Sequence, residues 1–119
     1  KVALFGLTFK PNTDDMRDAP SIAIVQTLID AGADVYAHDP EGMVEAAKIL
    51  PEVKMTESAY AAAEGADAVA IVTEWDAYRA LDLAKLKGVM KGDVLVDLRN
   101  IYRPEEGAKA GFDYYSVGR

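Results

Sequence analysis

The chain has 119 residues, half of them hydrophobic, with a formal net charge of −7 and no cysteine. This length suits one domain with one core, and the hydrophobic fraction excludes a disordered chain. The acidic balance opposes nonspecific nucleic-acid binding, and the lack of cysteine excludes disulfides, thiolate nucleophiles and zinc–thiolate sites. No apolar run in the sequence is long enough to span a bilayer, so we expect no membrane partner. Because of the acidic net charge, we expect no nucleic-acid partner either.

The first apolar run, residues 2–7, shows no alternation of polar and apolar side chains. That pattern predicts a strand buried on both faces of a parallel sheet. A helix is predicted over residues 21–31, with Asp18 as its cap, Pro20 in its first turn and Gly32 as its left-handed C-terminal cap.

The loop between this strand and this helix is too long and too charged to be a plain connector. It contains two cations, Lys10 and Arg17, among acids and turn-forming residues. After Gly6 it lacks the second and third glycines of a dinucleotide-binding turn. We interpret it as a ligand-binding loop on a nucleotide-binding type of scaffold that has no pyrophosphate turn.

Strands and helices continue to alternate along the rest of the chain. The predicted strands cover residues 34–38, 53–55, 67–72, 93–97 and 112–117, and the predicted helices cover residues 41–50, 58–64, 81–86 and 104–110. This order predicts an α/β, Rossmann-like fold: a doubly wound, mainly parallel sheet of about six strands with helices on both faces. Residues 1–119 form a single domain in this interpretation.

Three strand ends carry polar clusters, at residues 10–17, 73–75 and 99–103. In a doubly wound sheet, the carboxyl ends of the strands surround one crevice where ligands bind. Lys10, Arg17 and Arg99 are the candidate anion ligands, because lysine offers a point charge and arginine a flat fork of donors. The pattern predicts an anion site, such as a diphosphate site, at this edge.

Two residues near this edge leave alternatives open. Asp39 follows the second strand, where a dinucleotide fold places a ribose-binding acid, but it is equally a loop acid beside a proline. Trp75 either packs at a strand exit or forms a wall of the ligand site. His38 lies inside a strand with no evident partner, so we do not expect it to be catalytic.

Other acids suggest structural roles. Asp14 and Asp15 could hold a metal, but adjacent acids in a loop more often cap turns, and we predict no metal site. A local hydrogen bond between Asp97 and Arg99 would make Asp97 an orienting residue. We predict no catalytic residue in this chain, which has the character of a binding domain.

The run Gly6-Leu7-Thr8-Phe9-Lys10-Pro11-Asn12-Thr13-Asp14-Asp15-Met16-Arg17 resembles the opening of the C-terminal, UDP-binding domain of the UDP-glucose/GDP-mannose dehydrogenase family. Thr73-Glu74-Trp75 and Asp97-Leu98-Arg99-Asn100 are similar to later motifs of that domain, in the same order. The resemblance covers essentially the whole chain. The first motif is most similar to that of family members that act on UDP-glucose.

This resemblance implies an enzyme that oxidises the sugar C6 alcohol twice to a carboxylate, using two NAD⁺. It further implies an N-terminal domain that binds NAD, a central helical region that forms the dimer, and a cysteine nucleophile outside the C-terminal domain. It assigns Phe9, Lys10 and Arg99 to the UDP-sugar and Arg17 to NAD on the missing domain. Arg103 is a reserve ligand, since Asn100 stands where some relatives have a second arginine.

The chain begins at Lys1, directly before a buried type of strand, so we expect a C-terminal fragment of a longer dehydrogenase. The resemblance implies partners in the missing N-terminal and central domains, a full-length homodimer or higher oligomer, and a cytoplasmic enzyme. The fragment alone is expected to be inactive. Two alternatives remain: a family member acting on GDP-mannose or UDP-N-acetylmannosamine, and a non-catalytic doubly wound interaction module without a nucleotide site.

Overall fold

The computed structural model describes residues 1–117, which form a six-stranded sheet flanked by helices. The strands are β1 (Val2–Phe5), β2 (Val35–His38), β3 (Lys54–Met55), β4 (Ala68–Ile71), β5 (Val94–Asp97) and β6 (Asp113–Ser116). The helices are α1 (Pro20–Asp30), α2 (Met43–Ile49), α3 (Ala59–Ala63), α4 (Asp76–Arg79), α5 (Leu83–Val89) and α6 (Pro104–Lys109). Across residues 1–117, no helix combines the length and the apolar character that a membrane span requires.

The strand order is β3-β2-β1-β4-β5-β6, and each pair of neighbours is parallel. The chain therefore builds outward from β1 to β3, returns to the centre at β4, and builds outward again to β6. The predicted Rossmann-like, doubly wound fold is confirmed. The reversal between β1 and β4 is the switch point at which such sheets bind ligands.

Helices cover both faces of the sheet because successive residues of the central strand β1 point to opposite sides. Ala3 and Phe5 belong to one buried cluster, which α3, α4 and α5 complete. Leu4 belongs to the other, which α1 and α2 complete. With both faces covered by helices, the ends of the strands are the parts of the sheet where a ligand could approach.

Strand β1 ends at Phe5, two residues earlier than the sequence predicted. Gly6 turns the chain with a φ of +96°, and its amide donates to the His38 carbonyl at 2.9 Å. A Cβ added at Gly6 would lie 2.4 Å from the Cβ of Thr73, so no larger residue fits this turn.

The start of α1 differs from the prediction. Asp18 is not the cap, because it adopts a left-handed φ of +56° and the N-cap position falls on Ala19, which makes no side-chain capping bond. Pro20 does occupy the first turn, where its missing N–H costs nothing. Gly32, with a φ of +90°, follows the C-cap as predicted.

Helix α4 was missed from the sequence because a four-residue helix is too short to show a periodic pattern. The helix predicted over residues 81–86 is α5, which starts later, after Asp82. The Asp82 carboxylate accepts hydrogen bonds from the backbone amides of Ala84 and Lys85 and so fixes the first turn of α5.

Candidate functional site

Three neighbouring strands place the polar segments of the sequence at one edge of the sheet. β1, β4 and β5 are adjacent in the sheet, and their carboxyl ends lead into residues 6–19, residues 72–75 and residues 98–103. The predicted gathering of these segments at one edge is confirmed. Two parts of the loop after β1 differ in structure, namely its base at the switch point and its tip over residues 9–17.

The base of the loop is held by buried polar side chains that we call the switch-point cluster. It consists of Thr8, Ser21, Asp39, Thr73 and Trp75. The first four are 0% exposed, and the indole is 7% exposed. Thr8, Ser21, Asp39 and Thr73 are four of the five polar or charged residues that are buried within residues 1–117. The burial of polar groups in this part of the chain is therefore concentrated at the switch point.

Asp39 is the centre of this cluster. Its Oδ2 accepts hydrogen bonds from the amides of Leu7 and Thr8, at 2.7 and 3.1 Å, and from the indole Nε1 of Trp75, at 3.2 Å. Its Oδ1 accepts from the amides of Glu41 and Gly42, at 3.0 and 2.7 Å. One carboxylate thus ties together the chain segments that leave β1, β2 and β4.

Hydroxyl groups complete the cluster. Thr73 Oγ1 donates to the Thr8 carbonyl at 2.8 Å, and Ser21 Oγ donates to the Leu7 carbonyl at 2.6 Å. The Thr8 hydroxyl lies 2.9 Å from the Lys10 carbonyl and 3.2 Å from Asp39 Oδ2. Among the described residues, every buried side-chain nitrogen and oxygen has a hydrogen-bond partner. The base is therefore fully satisfied before any ligand arrives.

The contacts of this cluster bear on the two alternatives left open by the sequence. Asp39 is sealed from solvent, so it contacts protein groups instead of a ribose, and its role is larger than that of a simple loop acid. Trp75 packs within the core cluster and donates to Asp39, and it also lines an open groove with Asn12 and Asp14 of the loop tip, so both of its predicted alternatives fit the structure. The Asp-Pro-Glu-Gly run that ends at Gly42 was the available signal, since aspartate readily accepts from amides two and three residues on.

The tip of the loop is open. Phe9 is 46% exposed, although its backbone amide closes the loop by donating to the Asp15 carbonyl at 3.0 Å. Lys10 is exposed, and its ammonium group forms no hydrogen bond or ion pair with residues 1–117. Asn12 supports the turn with a left-handed φ of 64°. The tip thus presents an aromatic ring and an unpaired cation.

Arg17, also predicted as an anion ligand, is paired within the loop. Its Nε and Nη2 donate to the two carboxylate oxygens of Asp15 at 2.9 to 3.2 Å, while its side chain remains 88% exposed. These hydrogen bonds hold the pKa of Asp15 at about 2, well below its usual 3.8. Arg17 lines an open groove with Glu45 and Ile49 of α2, so it faces the α2 side of the loop.

Asp15 is therefore a partner of Arg17. Within the described part of the chain, no three histidine or acidic side chains are grouped closely enough to hold a metal ion.

Arg99 is aimed by the protein itself. Its Nε donates to the Val72 carbonyl at the end of β4, at 2.8 Å, and lies 4.0 Å from Glu74 Oε2. The side chain is 31% exposed, and its terminal amino groups form no hydrogen bond with the described residues. Arg99 thus bridges the ends of β5 and β4 while keeping donors available for an anion.

Asp97 orients this segment, as the sequence suggested. Its buried carboxylate accepts from the Arg99 amide at 3.1 Å, from the Tyr102 amide at 3.0 Å and from the Tyr114 hydroxyl at 2.5 Å. These bonds fix the turn from which the Arg99 side chain projects.

Two neighbours of Arg99 have structural contacts. Asn100 has a φ of 55°, and its amide group bonds both the carbonyl and the N–H of Val117, at 2.9 and 3.2 Å. Asparagine at this position thus ties the end of β5 to the end of β6. Arg103, the reserve ligand, precedes α6 and lies 3.6 Å from Glu106 Oε1 with its side chain 80% exposed. Its role in binding stays a prediction.

His38 has a partner that the sequence did not reveal. The Tyr78 hydroxyl donates to the His38 carbonyl at 2.7 Å, and His38 Nδ1 lies 3.1 Å from the same hydroxyl oxygen. Because the hydroxyl proton is used, the proton of the second contact belongs to Nδ1. Burial lowers the pKa of His38 below 6.5, and the Asp39 carboxylate opposes this shift.

Comparison with known proteins gives a consistent result. The profile of the "UDP-glucose/GDP-mannose dehydrogenase family, UDP binding domain" matches residues 3–104. The chain is 58% identical over 119 residues to a UDP-glucose 6-dehydrogenase of Rhizobium meliloti (strain 1021). That alignment covers all of this chain and 27% of the relative. It is 45% identical over 124 residues to the UDP-glucose 6-dehydrogenase of Pseudomonas aeruginosa, again with 27% of that protein covered.

Solved structures give the same fold. The chain superimposes with a TM-score of 0.86 on an NDP-N-acetyl-D-galactosaminuronic acid dehydrogenase from Methanosarcina mazei Go1, at 32% identity, covering 99% of this chain and 24% of that one. The TM-score is 0.76 for a UDP-glucose dehydrogenase from Pyrobaculum islandicum, at 33% identity, with 96% and 24% covered. The chain thus spans about a quarter of the length of these proteins.

Proposed function

The chain belongs to the UDP-glucose/GDP-mannose dehydrogenase family, and we propose that it is the UDP-sugar-binding domain of a UDP-glucose 6-dehydrogenase. The observation that carries this proposal is the pair of cations at the carboxyl edge, on strands that flank β4. The Lys10 ammonium, after β1, and the terminal amino groups of Arg99, after β5, form no hydrogen bond with the described residues, whereas Arg99 Nε is held by the Val72 carbonyl. The 58% identity to a UDP-glucose 6-dehydrogenase supports UDP-glucose as the substrate.

In this proposal, each exposed group has a distinct task. The Lys10 ammonium and the free amino groups of Arg99 neutralise the diphosphate, since such charge-assisted bonds are among the strongest in proteins. The exposed ring of Phe9 supplies an apolar surface for the ligand. Asp97 and the Val72 carbonyl orient Arg99, so its direction does not depend on the ligand.

NAD does not fit the switch point of this domain. Beside Gly6, the space for a pyrophosphate is filled by Thr73, and both oxygens of Asp39 are occupied by protein donors. Arg17 would be the group offered to NAD held on another domain, because its side chain is 88% exposed and lines a groove with residues of α2, although Nε and Nη2 are bound to Asp15 in this structure. NAD supplies the hydride acceptor of the reaction, and the role of this chain toward it is to offer the Arg17 guanidinium.

The proposed reaction belongs to the complete protein. Oxidation of the C6 alcohol to a carboxylate would consume two NAD⁺ and one water and release two NADH and three protons, and this chain would contribute the groups that hold the nucleotide-sugar. Residues 1–119 contain no cysteine for the covalent step that the family resemblance implies, so we propose that this domain is inactive alone. Its coverage of 27% of the relatives supports a single domain within a longer chain.

The direct test is Lys10→Ala in the complete native protein, with UDP-glucose titrated by calorimetry. We expect the dissociation constant to rise about tenfold or more, because the variant loses a charged hydrogen bond to the diphosphate. Lys109→Ala is the matched control. It removes the same charge from an exposed residue at the C-terminal end of α6, which leads to the opposite edge of the sheet.

Three results would decide against the proposal or change it. Equal affinity in the Lys10→Ala variant and the wild type would remove Lys10 from the site. Equal loss in the Lys10 and Lys109 variants would indicate a general charge effect. Preference for GDP-mannose over UDP-glucose would keep the family and change the substrate.

A further inference from the structure

The buried Asp39 carboxylate accepts hydrogen bonds from four backbone amides and one indole, more than a simple connecting loop requires. The Asp39 bonds to Leu7 and Thr8 hold the first two residues after the Gly6 turn. The bonds to Glu41 and Gly42 hold the segment after β2. Because Asp39 is 0% exposed, its oxygens accept these bonds from protein groups without competition from bulk water.

The network extends from Asp39 to the exposed tip through one side chain. The Thr8 hydroxyl lies within hydrogen-bond distance of Asp39 Oδ2 and of the Lys10 carbonyl. Thr73 Oγ1 holds the Thr8 carbonyl from the β4 side, at 2.8 Å. Residue 8 is therefore fixed at its amide, its hydroxyl and its carbonyl, immediately before Phe9 and Lys10.

We propose that Asp39 is a positioning residue for the nucleotide-sugar site: acting through Thr8, it fixes the backbone from which Phe9 and Lys10 reach the ligand. This inference rests on the proposed function. The role proposed for Asp39 differs from that of the acid after the second strand in dinucleotide folds, where the carboxylate binds a ribose. In this chain the carboxylate binds the loop, and the loop presents the ligand groups.

The experiment measures UDP-glucose affinity and melting temperature in the complete native protein for Asp39→Asn, Lys10→Ala and the double variant. Asp39→Asn puts an amide N–H₂ against the N–H donors, so we expect affinity to fall about tenfold. If Asp39 acts through the loop that carries Lys10, the double variant binds only about twofold more weakly than Lys10→Ala. Independent effects that multiply in full would overturn the inference.

Leu86→Ala controls for general destabilisation. Leu86 is fully buried in α5 and belongs to neither the cluster nor the loop. This variant is expected to lower the melting temperature while leaving UDP-glucose affinity within about twofold of wild type, since it is remote from the site. If Leu86→Ala weakens binding as much as Asp39→Asn at a similar melting temperature, the effect of Asp39 is stability alone and the inference fails.

If Asp39→Asn does not fold, a pair of variants at Thr8 tests the positioning role instead. Thr8→Val keeps the shape of the side chain and removes its hydroxyl, whereas Thr8→Ser keeps the hydroxyl and removes the methyl that packs beside Gly42. Positioning through the hydroxyl predicts that Ser retains affinity and Val loses it. A packing role predicts the reverse order and would overturn the inference.

The outcomes also separate this inference from the function on which it rests. If wild type binds UDP-glucose, Lys10→Ala weakens binding and Thr8→Val binds as wild type does, the site stands and the positioning role is wrong. If wild type binds neither UDP-glucose nor UDP, the proposed function fails, and this inference fails with it.

Discussion

The switch-point cluster and the tip of the same loop use their polar atoms in opposite ways. In the cluster, Thr8, Ser21, Asp39 and Thr73 are fully buried, and their polar atoms bond to other protein groups. At the tip, residues 9–17 include an exposed lysine without a hydrogen bond or ion pair and an arginine whose side chain is 88% exposed. A rigid base and an open tip lie only a few residues apart.

This difference shows how a binding loop can be long without being loose. Ordering a loop costs conformational entropy, and a ligand that had to order it would bind more weakly. The buried hydrogen bonds of the cluster order the base in advance. The cations of the tip, Lys10 and Arg17, then extend from a loop whose base is already fixed.

The largest expected effect comes from breaking the base at Gly6. Gly6→Ala is expected to lower the free energy of unfolding by about 2–5 kcal/mol, because left-handed strain adds to overpacking against Thr73. Gly32→Ala is the matched control, since Gly32 has a similar φ, +90° against +96°, and no atom within 4 Å of an added Cβ. It should cost about 1–2 kcal/mol from strain alone.

Urea denaturation of wild type and both variants measures this difference. Equal costs at the two glycines would mean that Thr73 moves away freely, and the base would then be less rigid than its contacts indicate. A larger cost at Gly6 locates the close packing at the switch point.

A smaller effect is expected from Thr73→Val, which keeps the shape but removes the donor to the buried Thr8 carbonyl. We expect a loss of about 1–3 kcal/mol in unfolding free energy, the cost of leaving a buried acceptor unsatisfied. The comparison variant at the tip is Asp15→Asn, which removes an ion pair with Arg17 that is largely exposed. It is expected to change stability much less than Thr73→Val does, because solvent screens the attraction between the two side chains.

Asp15 and Arg17 share four hydrogen bonds, whereas the Thr73 hydroxyl and the Thr8 carbonyl share one, so counting bonds predicts the opposite ranking. Urea denaturation of the two variants distinguishes burial from bond number as the source of stability. A larger loss for Asp15→Asn would contradict the division between base and tip.

Much of the fold follows from the sequence, because each β-strand lies within a stretch predicted from its apolar run. The positions of Lys10 and Arg99 at one sheet edge also follow, since parallel strands of a doubly wound sheet end on the same side. The early end of β1 was not predicted, because the steric conflict at Gly6 involves Thr73, which is remote in sequence.

The switch-point cluster is the part of the site that sequence reasoning missed. Its central bonds join Asp39 to residues 31 and 32 positions earlier and to Trp75, 36 positions later. Neither hydrophobic periodicity nor local turn chemistry reports such distant pairs. The cap expected from Asp18 failed for a related reason: the backbone there is left-handed at +56°, which a composition-based assignment does not reveal.

The smallest expected effect concerns pH and again separates base from tip. His38 ends β2 directly before Asp39, and burial lowers its pKa below 6.5. On acidification the unfolded chain therefore takes up this proton before the folded chain does. The stabilisation by neutral His38 is complete above pH 6.5 and is lost as the pH falls toward the lower folded pKa. Asp15 at the tip does not contribute in this range, because its pKa of about 2 keeps it ionised.

His38→Asn isolates this contribution, because the chain contains one histidine and the asparagine amide can replace the Nδ1–H donor to Tyr78. The measurement is the unfolding free energy of both proteins at pH 7.5 and 5.5. Between pH 7.5 and 5.5, the unfolding free energy of the wild type should fall by more than that of the variant. The difference between the two losses is the contribution of His38. Equal losses would show that His38 titrates alike in the folded and unfolded chains, which its half-buried position against Tyr78 argues against. A smaller loss in wild type would mean that attraction to the Asp39 carboxylate outweighs burial. His38 would then carry its charge in the folded protein at low pH, beside the Asp39 carboxylate.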